Sequence, residues 1–191
     1  MTQIRSLSGI LLLLAAACGN PVTTPRAATA TTVPSPPVAA ASPALSVSAS
    51  PSPQSYTCTD MSGGGGARAN VVAVRAAAQD GFDRWVLEFD GPVPGYTITR
   101  QANASFTEDA SGRSVTLDGA AGVVLRLQPA SSGAQAPRAM SPRETELRDL
   151  RQVGDFEGVV HWAAGLAAPA CMHVTTLDGP PRLVIDFKTG A

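Results

Sequence analysis

Between Tyr56 and Lys188 the apolar residues fall in short runs, and the clearest run alternates strictly with its neighbours. From Arg84 to Phe89, Trp85, Leu87 and Phe89 are interleaved with Arg84, Val86 and Glu88. A period of two predicts a strand that turns Trp85, Leu87 and Phe89 inward. Val71 to Ala77 is a second β-prone run, and the Asp80-Gly81 pair between the two suits a hairpin turn. Tyr96 to Arg100 forms a third, with Tyr96, Ile98 and Arg100 on one face. Further runs lie at Ser114 to Leu117, Val123 to Leu127, Val159 to Ala163, Cys171 to Leu177 and Leu183 to Phe187. Turn signals separate them: Ser111-Gly112, Asp118-Gly119, Gly154-Asp155 and Asp178-Gly179-Pro180. Short strands with frequent turns predict an all-β fold, a sandwich or a barrel.

Two stretches fit this scheme less well. Ser141 to Val153 offers Pro142 at a first helical position, and Leu147 and Leu150 keep a three-residue spacing. A turn leading into a strand is the favoured reading. Pro129 to Arg143 reads as a loop of about fifteen residues, long for a compact domain and a place to seek function. The run Ser62 to Arg68, SGGGGAR, reads as flexible and resembles no phosphate loop, because no Lys-Ser/Thr pair follows it.

Ahead of these runs the pattern changes. From Gly19 to about Ser55 the chain is Pro, Ala, Ser, Thr and Val, with Arg26 its only charge. Such a stretch has too little bulky side chain to build a core and predicts an extended tether, with a reach on the order of 110 Å. The first residues differ again. Arg5 supplies a positive start, Ile10 to Leu14 a short apolar core, and Ala15, Ala16 and Ala17 small residues before Cys18. This is the layout of a secretory signal. Its apolar run is too short for a membrane helix, which needs about twenty residues. The expected organisation is a signal over 1–17, a linker over 18–55 and a folded domain over 56–191.

Composition narrows the chemistry. The formal net charge is −1, and the basic residues form no cluster. Nucleic-acid binding is therefore not expected, since it needs a concentrated basic face. With export assigned, Cys58 and Cys171 are two thiols in an oxidising compartment and are expected to pair. The alternative is two separate buried thiols. His161 and His173 are the only histidines. They can approach across paired strands near Asp155 or Glu157, but no motif spacing supports a zinc site, and no metal or cofactor is expected. No Gly-x-Ser-x-Gly elbow is present, and no catalytic residues are assigned. The acid pair Glu108-Asp109 falls in a turn and reads as solvated. In GDFEG, Phe156 is expected in the core with Asp155 and Glu157 flanking it. Asp83-Arg84 can finish a turn, and Pro92, Pro94, Pro180 and Pro181 can stop strands at sheet edges.

Two resemblances add to this. The small residues followed by Cys18 resemble the lipobox of bacterial lipoproteins, although Ala15 stands where that motif more often has Leu. The resemblance implies lipidation of Cys18 and a lipid anchor on the extracytoplasmic side of the cell membrane. The folded part is similar to the AMIN-like domain at GFDRWVLEFDGPVPGYTITR (Gly81 to Arg100), VGDFEGVVHWAAGL (Val153 to Leu166) and PPRLVIDF (Pro180 to Phe187). The similarity runs from about Val71 to Lys188. It implies a β-sandwich like that of AMIN domains, which accompany cell wall amidases and secretin components, and a non-catalytic role in binding peptidoglycan or an envelope protein. Exposed aromatics beside Arg or Asp on a sheet face would suit a glycan, and Arg84, Tyr96 and Arg100 are the candidates. A module docking a protein partner and a small metal-dependent hydrolase are the rival readings.

Overall fold

The alternation around Trp85 is realised as a sandwich of two antiparallel-rich sheets in a computed structural model that describes residues 54–190. The signal, Cys18 and the linker up to residue 53 lie outside the described residues. Thirteen strands are found among those described, with no helix. One sheet contains β1 (Met61–Gly63), β4 (Gly95–Gln101), β7 (Ala121–Gln128), β11 (Val159–Leu166), β10 (Leu147–Phe156) and β9 (Ala139–Met140), in that spatial order. The other contains β12 (Met172–Asp178), β13 (Pro181–Lys188), β3 (Phe82–Phe89), β2 (Ala69–Gln79) and β8 (Ala130–Ser132). A separate hairpin pairs β5 (Ser105–Thr107) with β6 (Ser114–Thr116).

The inner faces meet as the period of two requires. Trp85, Leu87 and Phe89 of β3 are buried against Ile98, Leu125, Leu127 and Trp162 of the six-stranded sheet. At the centre Trp85 and Trp162 face each other edge-on across the sheets, with ring centroids 6.2 Å apart. Both are fully buried, and an edge-to-face aromatic pair adds about 0.5–1.5 kcal/mol beyond its area. Asp83 precedes Trp85 on the same inward face and is 1% exposed. It reaches across the sandwich, where its Oδ2 accepts hydrogen bonds from the backbone amides of Glu146 and Leu147 (2.9 Å for the latter). Asp83 therefore fixes the start of β10 rather than finishing a turn.

Strand β10 departs most from simple alternation. Its register shifts between Leu147 and Asp149, and again between Gln152 and Gly154. Each extra residue is a β-bulge, which lets residues three apart share a face. The first bulge explains why Leu147 and Leu150 both point into the core at helix-like spacing. The second puts Phe156 on the outer face. Its partner is Val159, while the preceding pair is Asp155 with the core residue Val160. Phe156 is 68% exposed, so the expectation of a core Phe156 is corrected. The turn beyond it, Glu157-Gly158, has φ of 49° and 78°, the pattern of a two-residue hairpin loop of the primed kind.

Two predicted loops are more ordered than their sequences suggest. Within Pro129 to Arg143, β8 pairs parallel with the first residues of β2, and β9 pairs with β10. Both strands are too short to carry a periodic signal. In SGGGGAR, Met61–Gly63 is β1, and the following glycines pack on the segment before β4. A Cβ at Gly63 would collide with the Tyr96 ring, so the glycines let that ring lie close to the backbone. The expected bridge is present: Cys58 and Cys171 form a disulfide with a Cα–Cα distance of 4.2 Å.

Candidate functional site

The three residues singled out as ligand contacts do not share a surface. Tyr96 and Arg100 lie on the inward side of β4, in phase with buried Ile98. Tyr96 is half-buried against the core and the glycine run, and burial pushes its phenol above the usual range. Arg100 donates through Nη1 to the Cys58 carbonyl, and its amide donates to Asp60 at 2.9 Å. Arg84 belongs to the outer face of the five-stranded sheet. Its Nε and Nη2 grip both oxygens of Asp186 at 2.7 and 2.8 Å, and Asp186 is 1% exposed. That pairing raises the guanidinium pKa still further. Gln54 and Tyr56 lie across the same pair, and Gln54 donates to Asp186 at 3.2 Å. Asp186, gripped by Arg84, thus receives the entering chain, and the family-like motifs FDRW and VIDF meet in this ion pair.

The histidines also part company. His173, on the edge strand β12, donates from Nδ1 to the Ser55 carbonyl at 2.9 Å. Its Nε2 accepts from the Thr175 hydroxyl at 3.0 Å, so both nitrogens are engaged within this edge. His161 lies in the other sheet. Its Nδ1 sits 2.5 Å from Asp109, whose carboxylate can only accept, which places the proton on Nδ1. Among the described residues no group of three or more His, Cys, Asp or Glu is placed to hold a metal ion.

His161 belongs to a surface that Arg84, Tyr96 and Arg100 do not reach. On the outer face of the six-stranded sheet, Gly154, His161, Arg126 and Thr97 lie side by side across four strands. The β5–β6 hairpin covers one end of this face. Ala104, Phe106 and Leu117 pack there on Val153 and Ala163 as a second small core. Where the hairpin stops, a groove of about 260 Å³ opens between it and the sheet. It is lined by the largely buried Phe106 and Val153, by Val124, and by the more exposed Gln101, Asp109 and His161 at its rim. Beyond the groove the sheet is open, and Phe156 and Gln128 stand exposed.

Local sequence explains how the rim is built. Gly154 leaves no side chain where the Asp109 carboxylate crosses β10, and a Cβ there would overlap that carboxylate. The Asp109 amide donates to the Val153 carbonyl at 2.9 Å, which ties the hairpin loop to the strand. Glu108 is not simply solvated. It accepts from Ser111 at 2.9 Å and from Arg113 and Arg151 at 3.0 Å, and these partners hold its carboxyl below the usual range, Ser111 foremost. The acid pair thus divides: Glu108 staples the loop, and Asp109 orients a histidine. The signal for this face was the alternation Leu125-Arg126-Leu127-Gln128, which sends Arg126 and Gln128 outward.

The fold and this face define a class: a β-sandwich with one sheet face partly covered and partly left as an open polar surface. The AMIN-like domain model matches residues 69–189, more than half of the chain, and the chain belongs to the AMIN-like family. The match begins at β2, so Cys58 and β1 precede it. A comparison with curated proteins found no match.

Proposed function

We propose that this protein is an extracytoplasmic lipoprotein, lipidated at Cys18 and held on the cell membrane, whose folded part binds peptidoglycan or another envelope glycan without catalysing a reaction. Membership of the AMIN-like family supports an envelope role. The observation that carries the glycan reading is the open outer face of the six-stranded sheet. It combines an exposed aromatic ring, Phe156, with the polar side chains Arg126, Gln128 and His161. Sugars present an apolar ring face and a polar rim, and a surface of this mixed kind suits both.

The test is co-sedimentation of the full chain, in detergent, with purified cell wall sacculi at low and high salt. Pelleting that survives added salt is the expected result. A chain that stays in the supernatant would overturn the glycan reading. Cys18→Ser is expected to release the chain from the membrane fraction, and continued retention there would remove the lipid anchor.

One observation favours a second reading, docking of an envelope protein. Strand β8 covers only Ala69 to Val71 of β2, so the edge from Ala73 to Gln79 has no neighbouring strand among the described residues. An extended partner segment can add to such an edge. Crosslinking of the lipidated chain in its membrane separates the two readings.

A further inference from the structure

We propose that a recess walled by Glu146 takes a primary ammonium group carried on an unbranched alkyl stem. The recess shares no residue with the groove beside the β5–β6 hairpin, and the site stands apart from the glycan reading. About 160 Å³ in volume, it is bounded by Glu146 at the entrance to β10, by Ala168, Pro169 and Ala170 after β11, and by the end of β13. Glu146 is 8% exposed. Its Oε1 accepts from the Ala168 amide at 2.9 Å. Its Oε2 has no hydrogen-bond partner among the described residues, yet it is not one of the polar atoms sealed away without a bond. The surface that Glu146 retains therefore includes an unpartnered carboxylate oxygen, and it opens into the recess.

No positive charge of the chain meets that oxygen. Among the described residues neither Glu146 nor Asp83 enters an ion pair. Asp83 is a second buried carboxyl beside it, accepting from the Glu146 amide, and its own Oδ1 has no partner. Lys188 borders the recess, but it follows the core residue Phe187 in β13, and strand alternation sends its side chain to the opposite face of that sheet. Burial and Asp83 both push the Glu146 carboxyl up, so its charge opposes folding. A glutamine would keep the bond to Ala168 without that cost. Costs of this kind gather at binding sites, where the ligand brings the missing charge.

The walls select the cation. A metal ion asks for several oxygen ligands, and among the described residues no group of three His, Cys, Asp or Glu is placed to hold one. An ammonium group needs only a charge-assisted bond to Oε2. Ala168, Pro169 and Ala170 form an apolar collar, which suits a run of methylenes behind a charged head and not a hydrated ion. The volume is about half the roughly 300 Å³ at which pockets begin to take drug-sized ligands, so it fits the end of a side chain or a small free amine.

The experiment is a nuclear magnetic resonance titration of the isotope-labelled full chain, in detergent, with n-butylammonium chloride. Sodium chloride at matched ionic strength and 1-butanol are run beside it. The Ala168 amide is expected to shift and saturate with n-butylammonium alone. Glu146→Gln keeps the shape and the acceptor for Ala168, and is expected to weaken binding at least about tenfold. Glu88→Gln, on the other sheet, is the control and should titrate like the parent. No saturating shift at Ala168, an equal response to sodium chloride or 1-butanol, or a Glu146→Gln variant that binds like the parent would each overturn the assignment. Nα-acetyl-lysine methylamide then separates the sources. Binding equal to that of n-butylammonium assigns the recess to a lysine-type side chain of a peptide, and binding of n-butylammonium alone assigns it to a free amine.

Discussion

Glu146 is the residue whose environment most opposes its usual charge. It sits at the entrance to β10, buried on the side facing Asp83, and its Oε1 accepts from the Ala168 amide at 2.9 Å. Burial pushes its carboxyl up, Asp83 adds in the same direction, and the Ala168 amide opposes them. A folded-state pKa above the unfolded one means that folding favours the protonated acid. The resulting stability is complete below the unfolded value and is lost as pH rises through the folded one. Glu146→Gln keeps an acceptor for Ala168 and removes the charge. The variant should therefore melt higher than the parent near neutral pH, and the two should converge in acid below the ordinary glutamate range. Thermal scans across that window check it, and a constant gap would show that charge is not the cause. Neither this carboxylate nor Asp83 was legible as structural in the sequence. Nothing local marks a side chain whose partner lies more than sixty residues away on the opposite sheet.

At the scale of elements, the β5–β6 hairpin decides how much of the six-stranded sheet meets solvent. It can lie close only because Gly122 and Gly165 leave room: a Cβ at Gly122 would stand 2.6 Å from the Phe106 ring, and one at Gly165 would run into the Asp118 carbonyl. Gly122→Ala should lift the hairpin, costing about 1–3 kcal/mol as overpacking does. Hydrogen exchange should speed up at Phe106 and Leu117 while β3 and β13 keep their protection. Uniform loss of protection would mean that the hairpin is not a separable unit. The strands themselves show what period alone can reveal. The alternation at Trp85, Leu87 and Phe89 was readable because β3 is regular and buried on one face. In β10 two bulges break the same rule, so the outward turn of Phe156 was hidden and its three-residue spacing imitated a helix. β8 and β9 carry no period because they are two or three residues long. The candidate face was half visible, in the outward Arg126 and Gln128. Its other half depends on the bulge and on Asp109 reaching over Gly154.

Across the whole molecule, the Cys58–Cys171 bridge joins positions separated by 113 residues and encloses most of the sandwich. Thr57 and Met172 exchange two backbone hydrogen bonds of 2.8 Å beside it, so the entering chain is stitched to the edge strand β12. The paired replacement Cys58→Ser with Cys171→Ser should lower stability by about 2–5 kcal/mol. Guanidinium unfolding of the double variant and the parent measures this, and equal midpoints would show the bridge to be idle. The position of the bridge also governs the response of the domain to being pulled. Tension between the two ends of the folded part enters at the strap before Cys58 and crosses the sulfurs to Cys171. Only the strap and the β12–β13 segment can then be drawn out. The strands from β1 to β11, with the groove and Phe156 among them, lie inside the covalent loop and off the path of the load, so the surface keeps its shape under any pull too weak to draw β13 from beside β3.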